Sequence, residues 1–296
     1  LADLALTLIM AVWGSSFAIL RALMGGAAST PLALVSVRMG LASALLAVFL
    51  ALFRRGDLRA LRGALLRDGV FCGALLGLGF LLQTEGLQRT TASRSGFLTG
   101  MLVVLVPLLE FVFFRKRPAL PALFGVLLAF AGMSTLSAPW ADASQATLLG
   151  DWLTVGCALV FAGHIIALGR LAPLHPVMPM LFLQLATTFA LAALAGPLVE
   201  TQHFSNAPRL WMALLYLALF ATLLAFGIQT WAQKVVAPVR VALISSLEPV
   251  FAALWAAVLI GERLSGREFL GGALIVLGVA VGEASAALSA RRGAKA

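Results

Sequence analysis

The chain has 296 residues, 61% of them hydrophobic and only 11% charged, and its mean hydropathy is +1.03. A soluble domain carries roughly 25% charged residues, so this composition excludes a water-clothed globule and marks an integral membrane protein. Its unbroken apolar runs exclude a β-barrel, whose strands alternate polar with apolar. The formal charge of +9 sits mostly in short segments between those runs, which is a topological signature rather than a nucleic-acid footprint.

Taken in order, the runs predict an all-α protein of ten transmembrane helices: Leu4–Leu23, Pro31–Phe53, Gly69–Leu87, Ser93–Phe114, Ala119–Ala138, Leu149–Gly169, Val177–Leu198, Leu210–Lys234, Val239–Ile260 and Gly266–Leu288. Each approaches the ~20 residues that cross ~30 Å of hydrocarbon. The first run follows Asp3 and lacks a basic leader, so it reads as a span rather than a signal peptide. Polar connections fall at 54–68, at Arg115–Pro118 and at Pro139–Gln145.

The run divides into two related halves. Gln83-Thr84 recurs as Gln229-Thr230, an offset of 146, and the same offset takes Arg94 to Arg240, Gly125 to Gly271 and Gly132 to Gly278. An offset of 148 takes Asp3 to Asp151 and Pro31 to Pro179. Two five-helix units, 1–139 and 149–288, follow, and an odd number of spans turns the second upside down relative to the first. Pro107 and Glu110 find no counterparts at Pro249 and Glu248, so the fourth and ninth spans have diverged. With the N-terminus in the cytoplasm, inner segments hold 14 Lys and Arg against 6 outside, which predicts cytoplasmic termini.

Candidate functional residues are polar or aromatic groups inside spans. Trp13-Gly14-Ser15-Ser16-Phe17 lies near the centre of the first; its indole and hydroxyls either line a cavity or pack the core. Arg38 either attracts a substrate carboxylate or, as the structural reading has it, bonds the C-terminal carbonyls of neighbouring helices or pairs with a carboxylate. Gln83 and Gln229 sit at related positions of the two halves, as site or as interhelical glue, and Trp231 stands where the first half has Glu85. Phe161 adds aromatic surface, and His164, with Gln184, is either a polar contact for substrate or protons or a satisfied core group. Glu85 reaches outer water with Arg89, and Glu110 pairs at the inner boundary with Arg115. Glu248-Pro249 sets a carboxylate and a helix kink in one apolar run, beside Ser245 and Ser246, which can satisfy groups the kink releases. Glu248 suits proton coupling or a substrate ammonium; its structural alternative is to pair with Arg38, Arg240 or another donor and fix the bundle. Gly73, Gly77, Gly125, Gly132, Gly271, Gly278 and Gly282 mark close helix seams, within one chain more economically than in a dimer. Cys72 and Cys157 read as inert core thiols. No phosphate loop, metal motif or nucleophile triad is legible, so neither an enzyme nor a cofactor or metal is expected.

The early Trp13-Gly14-Ser15, the arginine in Val37-Arg38-Met39, the proline in an apolar helix, the turn Gly261-Glu262-Arg263 and the Gly-rich final helix together resemble the EamA module of the drug/metabolite transporter superfamily. The resemblance spans nearly the whole chain and, more narrowly, points to YddG-like amino-acid exporters. It implies a multi-pass transporter of the bacterial inner membrane, monomer or dimer, exporting small metabolites, with multidrug or organic-cation export as the alternative. The residues fit a zwitterion: aromatic surface from Trp13, Phe17, Phe161 and Trp231, and Ser15, His164, Gln229 and Glu248 for its charged ends. A phosphorylated substrate would want several intramembrane cations, and only Arg38 qualifies.

Overall fold

The apolar runs fold, in a computed structural model, into helices joined by short connections, with no strand among the described residues. Described are residues 1–24, 29–90, 92–138, 148–201, 203–261 and 263–293, by backbone alone at 17–24, 92, 93, 260 and 285–293. The order is α1 (Ala2–Met24), α2 (Pro31–Phe53), a short α3 (Arg55–Arg59), α4 (Gly63–Leu87), α5 (Ala92–Gly100), α6 (Leu102–Phe114), α7 (Leu120–Ser137), α8 (Leu148–Leu171), α9 (Val177–Val199), α10 (Pro208–Ala218), α11 (Ala225–Ala232), α12 (Pro238–Ser245), α13 (Glu248–Ile260) and α14 (Gly266–Gly293). Eight stretches among the described residues are long and apolar enough to cross a membrane, counting α5–α6, α10–α11 and α12–α13 as one stretch each. Beside them α1 and α14 have 23 and 28 residues. The expected Pro139–Gln145 connection and Glu262 of the expected turn lie outside the described residues.

Two expected spans are broken, each in its middle. Val239–Ile260 was expected as one kinked helix; instead α12 stops at Ser245 and α13 starts at Glu248. Pro249 has no N–H to give the carbonyl one turn back, so the ladder lapses before it. The chain crosses the gap with tight turns, Ser246 N–H to Leu243 O and Leu247 N–H to Ile244 O. Ser245 Oγ donates to Val241 O at 2.8 Å and Ser246 Oγ to Leu243 O at 2.6 Å, bonds back along α12 rather than to the Ser245 carbonyl that Pro249 leaves without its donor. The fourth span likewise breaks at Met101, between α5 and α6. The eighth span stays unbroken but contains a widened π turn, Leu219–Leu224.

Helix boundaries repeat along the chain. α1 and α8 start at Ala2 and Leu148, α2 and α9 run Pro31–Phe53 and Val177–Val199, and α7 and α14 start at Leu120 and Gly266, each 146 residues apart. The breaks at Met101 and Leu247 keep that spacing, as do the left-handed residues ending α6 and α13, Arg115 (φ 56°) and Gly261 (φ 72°). The offset of 148 does not hold in this geometry: Pro31 opens α2, whereas Pro179 is the third residue of α9.

Two glycine seams draw helices together. α7 lies along α14, where a Cβ on Gly132 would stand 2.6 Å from Gly271 O and one on Gly278 2.6 Å from Gly125 O. α4 lies along α9, with Gly73 on the backbone of Gln184 and Gly77 against Leu191 and Thr188, while Gly282 receives Leu243. These are contacts within one chain, of the kind small residues permit where no water drives association. Cys72 and Cys157 are both fully buried.

Candidate functional site

The π turn of the eighth span organises the centre. Widening a turn exposes backbone carbonyls to side-chain donors, and such turns recur at functional sites. Trp13 Nε1 donates to Ala221 O at 2.8 Å, and Arg38 Nη2 donates to the same oxygen at 2.8 Å. Arg38 Nε also donates to Thr222 Oγ1 at 2.6 Å. Arg38 thus bonds a neighbouring helix's carbonyl, as its structural reading had it, but one in the middle of the span at the π turn rather than at a helix C-terminus.

Aromatic rings surround this knot. Trp13 stands 5.2 Å from Phe226, Phe80 lies 5.6 Å from Phe161 and 6.3 Å from Phe226, and the Arg38 guanidinium rests 5.8 Å above the Phe80 ring. Trp13 and Phe161 lie near the middles of α1 and α8, Phe80 in the second half of α4 and Phe226 at the start of α11. Ser15 Oγ shares a 2.6 Å hydrogen bond with Tyr216, the sole tyrosine. Ser16 Oγ donates to Val12 O, and Gly14 seats α13, since a Cβ there would meet Ala252 N at 2.7 Å. Trp255 Nε1 adds a 2.9 Å bond to Ala11 O from the same helix. The WGSS segment thus divides its work: Gly14 packs, Trp13 and Ser15 reach across to the eighth span. The side chain of Phe17 lies outside the described residues.

Glu248 opens α13 and is half-buried. It makes no hydrogen bond and no ion pair within 4.0 Å among the described residues, although it feels the charge of Arg38. The expected ion pair with Arg38 or Arg240 is thus not formed. Arg240 bonds Asp3 and Glu283 instead.

Other candidates fall elsewhere. His164 Nε2 donates to Gln184 Oε1 at 2.9 Å, Gln184 Nε2 to Thr230 Oγ1 at 3.3 Å, and Thr230 Oγ1 to Phe226 O at 2.7 Å. All three are at most 2% exposed, so this is a sealed polar chain joining α8, α9 and α11. Gln229 is buried with Oε1 lacking a partner, and Gln83 is half-buried. Trp231 turns away from the aromatic cluster and is 39% exposed. It lines an apolar groove of about 620 Å³ with Leu45, Phe49, Leu181, Leu223 and Ile228. Glu85 pairs with Arg89 as expected. Glu110 does not pair with Arg115; its neighbour is Arg170, 4.0 Å away and stacked on Phe114. Arg115 is left-handed and exposed at the helix end, whereas Glu110 is buried against α8.

Phe80, Tyr216, Thr222 and Phe226 escaped the sequence reading. Two had a signal: Phe80 and Phe226 are 146 residues apart, so the repeat that exposed the Gln-Thr pairs also carries an aromatic pair. Thr222 and the Ala221 carbonyl had none.

Comparison with known proteins places this arrangement. The model of the EamA-like transporter family matches twice, over residues 1–138 and 148–281. An uncharacterized transporter of Archaeoglobus fulgidus is 31% identical over 282 residues, 95% of this chain and 85% of that protein. A probable amino-acid metabolite efflux pump of Escherichia coli is 27% identical over 92% of this chain and 91% of its own length. One solved structure of 22% identity superposes with a TM-score of 0.79, covering 95% of this chain and 96% of the other, a likeness of fold.

Proposed function

The chain belongs to the EamA-like transporter family, and we propose that it exports small metabolites, amino acids foremost, from a midplane site by alternating access. It is a multi-pass membrane transporter and not an enzyme. The observation that supports the finer reading is Arg38 over the Phe80 ring, on the same carbonyl as Trp13 and among Phe161 and Phe226, with Glu248 in electrostatic reach but in no ion pair with it. An amino acid supplies an ammonium for the carboxylate, a carboxylate for the guanidinium N–H groups not engaged by Ala221 and Thr222, and a side chain for the rings.

In this reading ten spans form two inverted five-helix repeats, 1–139 and 149–288, with both termini cytoplasmic in a bacterial inner membrane. The 146-residue spacing of helix starts, breaks and caps supports it, as does the family model's double match. So does packing: exchanging the halves maps α2 on α9 and α7 on α14 onto themselves, and α1 on α13 onto α8 on α6. One observation favours organic cations as the second reading: two Arg38 donors are already committed to the protein, leaving Glu248 and the rings as a cation site.

The test is uptake of labelled amino acids and of a lipophilic cation into liposomes holding the purified protein, wild type and Glu248→Gln. Saturable amino-acid uptake, weakened at least several-fold by Glu248→Gln and abolished by Trp13→Ala, supports the zwitterion reading. Cation uptake alone, lost with Glu248, supports the second. Saturable uptake of both that Glu248→Gln leaves unchanged would sink the site.

A further inference from the structure

Two ion-pair clusters stand at opposite ends of the bundle, and they are related by the same offset as the helices. Arg94 opens the fourth span and Arg240 the ninth, 146 residues apart. Arg94 bonds both oxygens of Asp151, Nε to Oδ1 at 3.3 Å and Nη2 to Oδ2, while Thr90 Oγ1 donates to Oδ1 at 2.9 Å. Arg240 lies 2.9 Å from Asp3 through Nη2 and bonds Glu283 through Nε at 3.1 Å and through Nη2. Asp151 is in the first turn of α8 and Asp3 in the first turn of α1. Each cluster therefore ties the first helix of one half to the fourth span of the other. Spans alternate in direction, so Asp3 and Asp151, at the starts of helices one and six, are separated by the length of a helix, ~35 Å for 23 residues.

We propose that these clusters are the two gates of the transport pathway: Arg94–Asp151 with Thr90 holds one end shut, and Arg240 with Asp3 and Glu283 holds the other. The proposal rests on the alternating-access reading given above. Each arginine sits in α5 or α12, the half-helix before the breaks at Met101 and Leu247. The pair at the outer tip of each half-helix adds to its packing, α5 against α8 and α7 and α12 against α6 and α1, so that when the pair parts the half-helix can tilt about its break. The carboxylates are partly exposed, with side-chain accessibilities of 17% for Asp151, 36% for Asp3 and 29% for Glu283. Such pairs shift a population by about two- to five-fold, enough to bias an opening without locking it. At one end Arg94 takes Asp151 in a bidentate pair, and at the other Arg240 is shared by Asp3 and Glu283. Removing Asp151 takes away that bidentate pair, whereas removing Glu283 leaves Asp3 on Arg240.

Hydrogen–deuterium exchange of the whole protein in nanodiscs reads both ends without needing a substrate. Asp151→Asn should raise exchange about two- to five-fold in α5 and the first turns of α8, and lower it in α12 and the first turns of α1. Asp3→Asn with Glu283→Gln should do the reverse, and Glu283→Gln alone should move it less. Exchanging the charges (Arg94→Asp with Asp151→Arg) should return the wild-type pattern, which separates gating from misfolding. A rise confined to the mutated end, with the far end unchanged, overturns the gate and leaves a local staple. If the double neutralisation instead raises both ends at once, each cluster does close its end but the ends are not reciprocal, and alternating access fails while the gates stand.

Discussion

Replacing Gly132 with alanine is the sharpest structural test of the α7–α14 seam. The added Cβ would lie 2.6 Å from Gly271 O, 2.7 Å from Ile275 N and 2.8 Å from Ile275 Cγ1. Two of these neighbours are backbone atoms of a helix, so no rotamer change relieves them. Ordinary contact begins near 3.4 Å, so α14 must retreat by about 0.8 Å, which thins the packing along the whole seam. Overpacking of this kind costs about 1–3 kcal/mol. With each kcal/mol worth about 2–4 °C in a protein of this size class, melting should fall by about 2–12 °C. Gly278→Ala should cost the same, because its Cβ meets Gly125 O at 2.6 Å and Ala129 N at 2.7 Å. The double variant should fall short of the sum, since one displacement serves both. Gly163→Ala is the internal control: it lies within α8 with nothing inside 4 Å, so the better helix former should hold or raise stability by up to ~1 kcal/mol. Thermal unfolding in detergent, followed by loss of the monodisperse chromatographic peak, measures all four. An unchanged Gly132→Ala, or a Gly163→Ala that falls as far, would refute the reasoning.

Three further outcomes follow from the site. Arg38→Gln should cost about 1–3 kcal/mol in the same unfolding assay, because it leaves Thr222 and the Ala221 carbonyl short of a charged donor; stability equal to wild type would mean the π turn needs no such support. His164→Gln should leave the pH profile of transport unmoved, since the imidazole is sealed in a bonded chain, and a shifted profile would return it to the pathway. Trp231→Ala should retain uptake within about two-fold, as expected of a side chain on the outer groove, whereas Trp13→Ala should abolish it; equal losses would place both rings on the substrate.

The polar candidates in the first span were legible because a Trp-Gly-Ser-Ser sequence has few reasons to sit in hydrocarbon. Arg38 was legible for the same reason, and its structural role followed from the donors it carries. Glu248 was legible as a carboxylate beside a proline, but the ion pair offered for it was wrong. Arg240 was already held by Asp3 and Glu283, two residues at the ends of other helices. Glu110 failed similarly: its neighbour in sequence, Arg115, turned left-handed, and its neighbour in space came from α8.

Class, the eight described stretches that can cross and the 146-residue period were written in the sequence alone, because hydrocarbon imposes a one-dimensional rule: a helix long and apolar enough to cross. Which faces meet was decided only by the tertiary structure. Each residue inserted by a π turn rotates everything after it by about 100°, so the turn at Leu219–Leu224 governs where Gln229, Thr230 and Trp231 point. Trp231 consequently faces the outer groove, Thr230 joins the buried chain from His164, and a backbone carbonyl at Ala221 becomes the anchor of the site. A carbonyl has no letter in a sequence. Its role arises only when a widened turn presents it to Trp13 and Arg38 from two other helices.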